Sequence, residues 1–408
     1  MNRSPVLLLP LALALAACDT GTTATPSDMA MQPQPNVDFG PEKLDGGPNT
    51  QPTTAVVTSS SLMTSGSINT IALADKAPKK ALDTTIDQDN LVRAAAGRVY
   101  VVDRTHGTIR IYDPATWKNP VEIVTGDMTA PHEMSNPHDV LPVPASSKLY
   151  VALYNNDADH AVGVLDAAQP MKGVVKWIAV PKAGTPLVRA NNLYFCGPYV
   201  YVVLEDLDEN FAVTGNGRIA VIDPATDKLD ASGTNVITLA GKNPGGGAAD
   251  GITRANPMGG SCDLVLVADS GDYTKPIPNG GGVEQVDLTR RKSNGFLVTD
   301  ADLKGAPGTV TSASATLAYV ILNNPDFTNN VVAINPQDKK VIGSVLGPAG
   351  FVGFAVVSPD GQLFAGVTRG DTKKGQPAAA VYIGAADGKM LPAMGIDLGQ
   401  APYAIAFY

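Results

Sequence analysis

Ile219-Ala-Val-Ile-Asp223-Pro-Ala-Thr226 follows Tyr199-Val-Tyr201-Val-Val within one stretch, and both halves recur along the chain. The β-branched run with a central large residue returns around Tyr100, Tyr150, Val265, Tyr319 and Phe364, at intervals of 45 to 64 residues. The second half returns as Ile109 to Thr116, Val162 to Asp166, Val283 to Asp287 and Val331 to Asn335, with a looser copy at Ala380 to Gly384. Alternating apolar residues make half-buried strands, and Asp-Pro or Asn-Pro starts the turn after them. No helical periodicity separates the copies, so βαβ units are excluded. A period near fifty with about four short strands per repeat is the pattern of a β-propeller blade.

The two ends complete the count. Thr54 to Val57, Ser67 to Leu73 and Ala81 to Ile86 read as strands two, three and four of a blade lacking its first, and Pro402 to Phe407 reads as a first strand lacking the rest. An open ring leaves two sheet edges with unpaired amides, and pairing the termini removes them. The expectation is an all-β, seven-bladed propeller over 53–408, closed by N- and C-terminal strands in one blade. A six-bladed ring with extra terminal strands is the alternative. The Tyr-Val strands followed by Val-x-Val-Ile-Asp strands resemble the YVTN family of propellers, a resemblance that implies the fold and says little about activity. The Trp-Asp pairs of WD repeats and the Trp repeats of quinoprotein propellers are missing.

Composition agrees. The 408 residues include 41 Gly and 32 Pro, are 44% apolar and only 17% charged, and carry a formal net charge of −9. That is too apolar for a disordered chain, and an acidic balance without a Lys/Arg block argues against nucleic acid as a partner. Residues 1–17 have a short positive start and an apolar run too brief to span a bilayer, the layout of a secretory signal. Leu15-Ala16-Ala17-Cys18 resembles the bacterial lipobox. The resemblance implies cleavage before Cys18, acylation of its thiol and amine, and a protein anchored in the cell envelope, facing the periplasm or cell surface. Residues 18–52 then form the acylated Cys and a flexible Thr/Pro/Gly-rich tether. With Cys18 lipidated, Cys196 and Cys262 remain, and an exported chain with an even remainder is expected to join them.

Binding function is expected in the loops after each second strand, whose lengths vary. They are rich in oxygen donors: Asn155, Asp157 and Asp159; Asp206 and Asp208; Asp272; with Asp250 near the channel. Such clusters suit Ca²⁺, although Asp and Asn are also ordinary turn residues. All four histidines, His106, His132, His138 and His160, are expected on the same face, where imidazoles with Glu133 and Asp139 would suit Zn²⁺; hydrogen-bonding His138 as a cap on the channel is the structural alternative. No catalytic residue or cofactor is fixed by any motif: Gly-x-Ser-x-Gly and a phosphate loop are both missing. The sequence therefore favours a monomeric, membrane-anchored binding or assembly module for a protein, glycan or cationic ligand. The rival is a metal-dependent, lactonase-like hydrolase at the axial channel, for which Asn90, Asn191, Asp250 and His138 are loose candidates.

Overall fold

A computed structural model describes residues 51–126, 135–143, 146–182, 184, 187–245, 251–257 and 262–408. Residues 1–50, which take in the expected signal, Cys18 and the tether up to its last two residues, fall outside these residues, as do His132, Glu133 and Asp250.

Seven antiparallel sheets follow one another in chain order. Blade 1 pairs Ala401–Phe407 with Thr54–Ser60, then Gly66–Ala72 and Pro78–Asp83. Ala55 lies opposite Phe407 and Val57 opposite Ile405, so the ring is closed by the two ends of the chain as expected. Blade 2 is Asn90–Ala95, Arg98–Asp103, Thr108–Tyr112 and Val121–Val124; blade 3 is Pro137–Pro142, Lys148–Leu153, Val162–Asp166 and Val174–Ile178. Blade 4 contains Ala190–Cys196, Tyr199–Leu204 and Arg218–Asp223, with its outer edge divided between Lys228–Leu229 and Val236–Thr238. Blade 5 is Ile252–Arg254, Leu264–Asp269, Gly282–Asp287 and Lys292–Thr299; blade 6 is Ala306–Ser314, Leu317–Asn323, Asn329–Asn335 and Lys340–Ala349. Blade 7 pairs Phe351–Val357, Gln362–Arg369 and Ala380–Ala385, with a bridge from Val381 to Ile396 in the place of a fourth strand. Seven sheets exclude the six-bladed alternative. The outer strand of blade 1 begins at Pro78, three residues before the expected Ala81.

The repeat's central residue is the reason the blades stack. Tyr100, Tyr150, Tyr319 and Phe364 are all fully buried, each removing enough apolar surface to contribute about 1.5–3 kcal/mol. Tyrosine adds a polar tip that reaches the next blade. The Tyr150 hydroxyl donates to Asp227 Oδ1 of blade 4 at 2.6 Å, and the Tyr319 hydroxyl accepts from the Gly388 amide of blade 7 at 3.1 Å. Asp227 also takes Lys148 Nζ at 2.9 Å, and Arg291 of blade 5 pairs with Asp230 of blade 4. Cys196 and Cys262 are joined by a disulfide, with a Cα–Cα distance of 5.5 Å. These ties share one face, where strands one and two turn into each other: the hairpin face. The opposite face, carrying the loops between strands two and three and the blade-to-blade connections, is the loop face.

Candidate functional site on the loop face

Every first strand starts, and every second strand ends, on the loop face, so residues at those two register positions meet near the axis. The residue four positions after the repeat's centre is Arg104 in blade 2, Tyr154 in blade 3, Glu205 in blade 4 and Asp269 in blade 5. First strands contribute Asn90, His138 and Asn191. Several of these join into one network. His138 Nδ1 lies 3.2 Å from Asn191 Oδ1, Asn191 Nδ2 donates to Glu205 Oε1 at 2.6 Å, and the Tyr154 hydroxyl donates to Glu205 Oε2 at 2.6 Å. Arg104 pairs with Asp89, donates to the Tyr403 hydroxyl of blade 1 at 3.1 Å, and sets Nη1 3.5 Å from His138 Nε2. Gly245 (φ +84°) is needed against this network, since a Cβ there would sit 2.6 Å from Asn191 Nδ2.

The charge state follows from burial. His138 is pushed well below the ordinary imidazole range by desolvation and then by the Arg104 guanidinium, so it is neutral at pH 7. Asn191 gives its amide to Glu205, so its oxygen accepts from Nδ1–H of His138, and Nε2 is left as the acceptor toward Arg104. Burial, with the Glu205 carboxylate close by, pushes the Tyr154 phenol well up, keeping it a donor. The imidazole stacks on Tyr154 at 4.0 Å and 8°, Arg189 lies 5.1 Å above that ring, and Phe211 lies 4.6 Å from Arg189. A stack thus runs from the buried imidazole out to an exposed phenylalanine.

A second group lies in blade 2 beside this network. Ligand atoms of Asp87, Asp103 and His106 lie within 4.8 Å of one another. His106 Nδ1 is 3.5 Å from Asp87 Oδ2 and 3.2 Å from Asp103 Oδ1. Both carboxylates are buried, whereas the His106 side chain is 66% exposed, which leaves one side of the group open. Asn90 and Thr108 lie directly opposite Asp103 on its two neighbouring strands, so the three side chains share one side of the blade. Asp87 Oδ2, Asn90 Oδ1 and Thr108 Oγ1 are buried without a hydrogen-bond partner. Burial, aided by Asp87, raises Asp103 above the usual carboxylate range despite the bonds it accepts from His106. Two carboxylates, an imidazole and adjacent amide and hydroxyl oxygens form a donor set that fits Ca²⁺ or Zn²⁺. Cys196, Cys262 and Asp263 also cluster, but their sulfurs are bonded to each other and offer no thiolate.

The histidines expected to act together keep separate partners. His138 is in the buried network, His106 faces Asp87 and Asp103, and His160 holds Asp157 at 2.8 Å on the outside of blade 3. A cation at His138 Nε2 would sit against the Arg104 guanidinium, so its place is that of the hydrogen-bonding cap. Asp139, expected beside the imidazoles, instead accepts from Arg93 Nε of blade 2 at 2.9 Å and the Leu193 amide of blade 4 at 2.8 Å. The oxygen-rich loops mostly spend their donors on themselves. Asp206 is buried in a two-point pair with Arg218, Asn155 accepts from Arg189, and Asp159 pairs with Lys182. Asp157, Asp208 and Asp272 cap backbone amides of their own turns. Asp87, Asp103, Tyr154 and Arg104 were not singled out from the sequence; the position four residues past each repeat centre is the signal that marks the last two.

No protein-family profile matches the chain, and no curated protein matches it. Solved structures do. A Bacteroides fragilis protein described as a candidate 6-phosphogluconolactonase aligns with 89% of this chain and all of its own, at TM-score 0.56 and 12% identity. The Pseudomonas aeruginosa periplasmic gluconolactonase aligns over 87% of this chain and 98% of its own, at 0.53 and 14%. The dihydro-haem d1 dehydrogenase NirN covers 90% of this chain and 78% of its own, also at 0.53 and 14%. At such identities the likeness is one of fold. The chain is a seven-bladed β-propeller with a polar, metal-compatible loop face.

Proposed function

We propose that this is a lipid-anchored, extracytoplasmic, metal-dependent hydrolase of the lactonase type, working on the loop face beside the axial channel. The single observation that carries the reading is the Asp87–Asp103–His106 group. Three protein ligands with one open side are the makeup of a catalytic metal centre, whereas structural centres are closed by a fourth ligand. A divalent cation held there would polarise a carbonyl oxygen and lower the pKa of bound water. Asp87 and Asp103 would supply the charge from below, and His106 the ligand nearest solvent. Arg104, the neighbour of Asp103 in sequence, holds its guanidinium among Asp89, Tyr403 and His138, and would stabilise charge developing on a carbonyl oxygen brought against it. The neutral His138, with both ring nitrogens engaged, is a positioning residue for Asn191 and Arg104. Two solved structures of similar fold are described as gluconolactonases, which makes a cyclic ester the first substrate class to test. The lipobox-like Leu15 to Cys18 and the Cys196–Cys262 disulfide support an oxidising, membrane-attached location.

The test is titration calorimetry of the full-length chain with Ca²⁺, Mn²⁺ and Zn²⁺, followed by gluconolactone hydrolysis with and without the ion that binds. One saturable site is expected. Asp103→Asn and His106→Ala should weaken it by about 100-fold or more with melting temperature nearly unchanged. No saturable binding, or hydrolysis indifferent to the ion, overturns the reading.

A further inference from the structure

The exposed aromatic rings form a pattern of their own. Among the described residues, the exposed large hydrophobic side chains include four aromatics: Phe211 (51%), Tyr273 (53%), Phe327 (86%) and Phe351 (37%). All four lie on the loop face and in four consecutive blades. Phe211, Tyr273 and Phe327 occupy the loops between strands two and three of blades 4, 5 and 6, and Phe351 opens the first strand of blade 7. Phe211 and Phe327 also hold left-handed backbone, at φ 62° and 63°, a conformation bulky residues adopt only at a cost. The Phe327 amide donates to the Asn324 carbonyl at 2.9 Å, so the turn is held by its backbone while the ring stays in solvent.

Each of the three loop aromatics follows closely on a carboxylate, as Glu209-Asn210-Phe211, Asp272-Tyr273 and Asp326-Phe327. Asp272 pairs with Lys275. Asp326 accepts only from Thr328 of its own turn, and no ion pair joins Asp326 or Glu209 to a basic side chain among the described residues. A ring face beside a carboxylate is a receptor for a cation, which takes the quadrupole of the one and the charge of the other. Phe211 already demonstrates the first half, with Arg189 4.6 Å from one of its faces.

We infer that blades 4 to 6 form a docking surface for a basic protein segment, with Arg or Lys side chains set between the loop aromatics and their neighbouring carboxylates. Charge complementarity selects this occupant: Asp272 already holds Lys275 and Phe211 already holds Arg189. Asp326 and Glu209, by contrast, have no ion-pair partner among the described residues, and a polyanion or a neutral glycan would leave those two carboxylates unanswered. The inference is independent of the metal group in blade 2.

Fluorescence anisotropy of the full-length chain with labelled deca-arginine tests it, with deca-glutamate and cellohexaose as competitors. Saturable binding is expected. Phe327→Ala and Phe211→Ala should each weaken it about threefold and together about tenfold, with melting temperature and metal binding unchanged. Asp326→Asn should weaken it about twofold. Affinities untouched by the two Phe substitutions would reduce the effect to general attraction by an acidic protein and overturn the inference. So would an absence of saturable binding, or displacement by cellohexaose, which would make the face a glycan platform.

Discussion

The hairpin face and the loop face are two ends of the same seven sheets, yet they use polar groups in opposite ways. On the hairpin face, buried polar tips are matched across blade boundaries. Tyr150 and Lys148 meet on Asp227, Arg291 meets Asp230 and the Thr234 carbonyl, and the disulfide ties blade 4 to blade 5. On the loop face, Asp87, Asn90, Thr108, Arg189 and Asn279 each bury a polar atom with no hydrogen-bond partner. An unsatisfied buried group costs about 1–3 kcal/mol. A fold that tolerates several on one side, while satisfying the other, is stabilised where it is not needed for binding and left incomplete where a ligand can complete it.

The largest expected effect breaks the hairpin side. The disulfide closes a sequence separation of 66 residues, and its loss should cost about 4 kcal/mol through unfolded-state entropy. A Cys196→Ser/Cys262→Ser variant, or native protein in reductant, should therefore unfold at a clearly lower denaturant midpoint. Metal affinity in blade 2 should stay as it was. A parallel loss of both would show that the two faces are not separable.

A smaller effect of opposite sign is expected on the loop side. Asp269 and Glu284 are both fully buried in blade 5, and no Lys, Arg or His pairs with either carboxyl among the described residues. Glu284 accepts from the Ala240 amide at 3.0 Å and from the Ser293 hydroxyl. Desolvation first, then the Glu284 charge, push Asp269 well above the usual carboxylate range. A carboxyl raised in the folded state contributes stability that is complete below its unfolded pKa of about 3.9 and lost as pH climbs through the folded value. Asp269→Asn keeps the shape and removes the proton. It should stabilise the protein by about 1–2 kcal/mol near pH 8 and by less near pH 5, read as melting temperature against pH. A variant less stable than native at pH 8 would mean that a cation, and not a shared proton, neutralises the pair.

What the sequence could announce follows from the same division. The repeat, its period and its closure were legible because burial on both faces makes the second and third strands short, nearly continuous apolar runs and places Tyr100, Tyr150 and Tyr319 at one register. The disulfide was legible because an even remainder of cysteines preceded two second strands. The site was legible only in part. His106 was singled out, and Asp103 lies only three residues before it in the same turn, but Asp87 comes from a separate segment, and no local spacing encodes that meeting. Conversely, Asp157, Asp206, Asp208 and Asp272 looked like ligands because turn caps, ion pairs and metal sites draw on the same residue types. Which use applies is decided by the partner within 3 Å, and partners are a property of the fold.

The smallest effect sharpens this last distinction. His160 was expected from sequence to join His106, yet its Nδ1 lies 2.8 Å from Asp157 and its ring meets the edge of Trp177 at 5.1 Å, outside the network. It is half exposed and closes a single 3₁₀ turn. His160→Ala should change stability by no more than about 0.5 kcal/mol, as for surface substitutions generally, and leave the calorimetric metal affinity untouched. His106→Ala should weaken that affinity by about 100-fold or more at a similarly small cost in stability. Equal losses from the two substitutions would mean that blade 3 bends inward to complete the coordination of blade 2, and that the loop histidines act as one group after all. Unequal losses place the metal-binding capacity of this face in the three side chains of blade 2, where two buried carboxylates already wait beside one open imidazole.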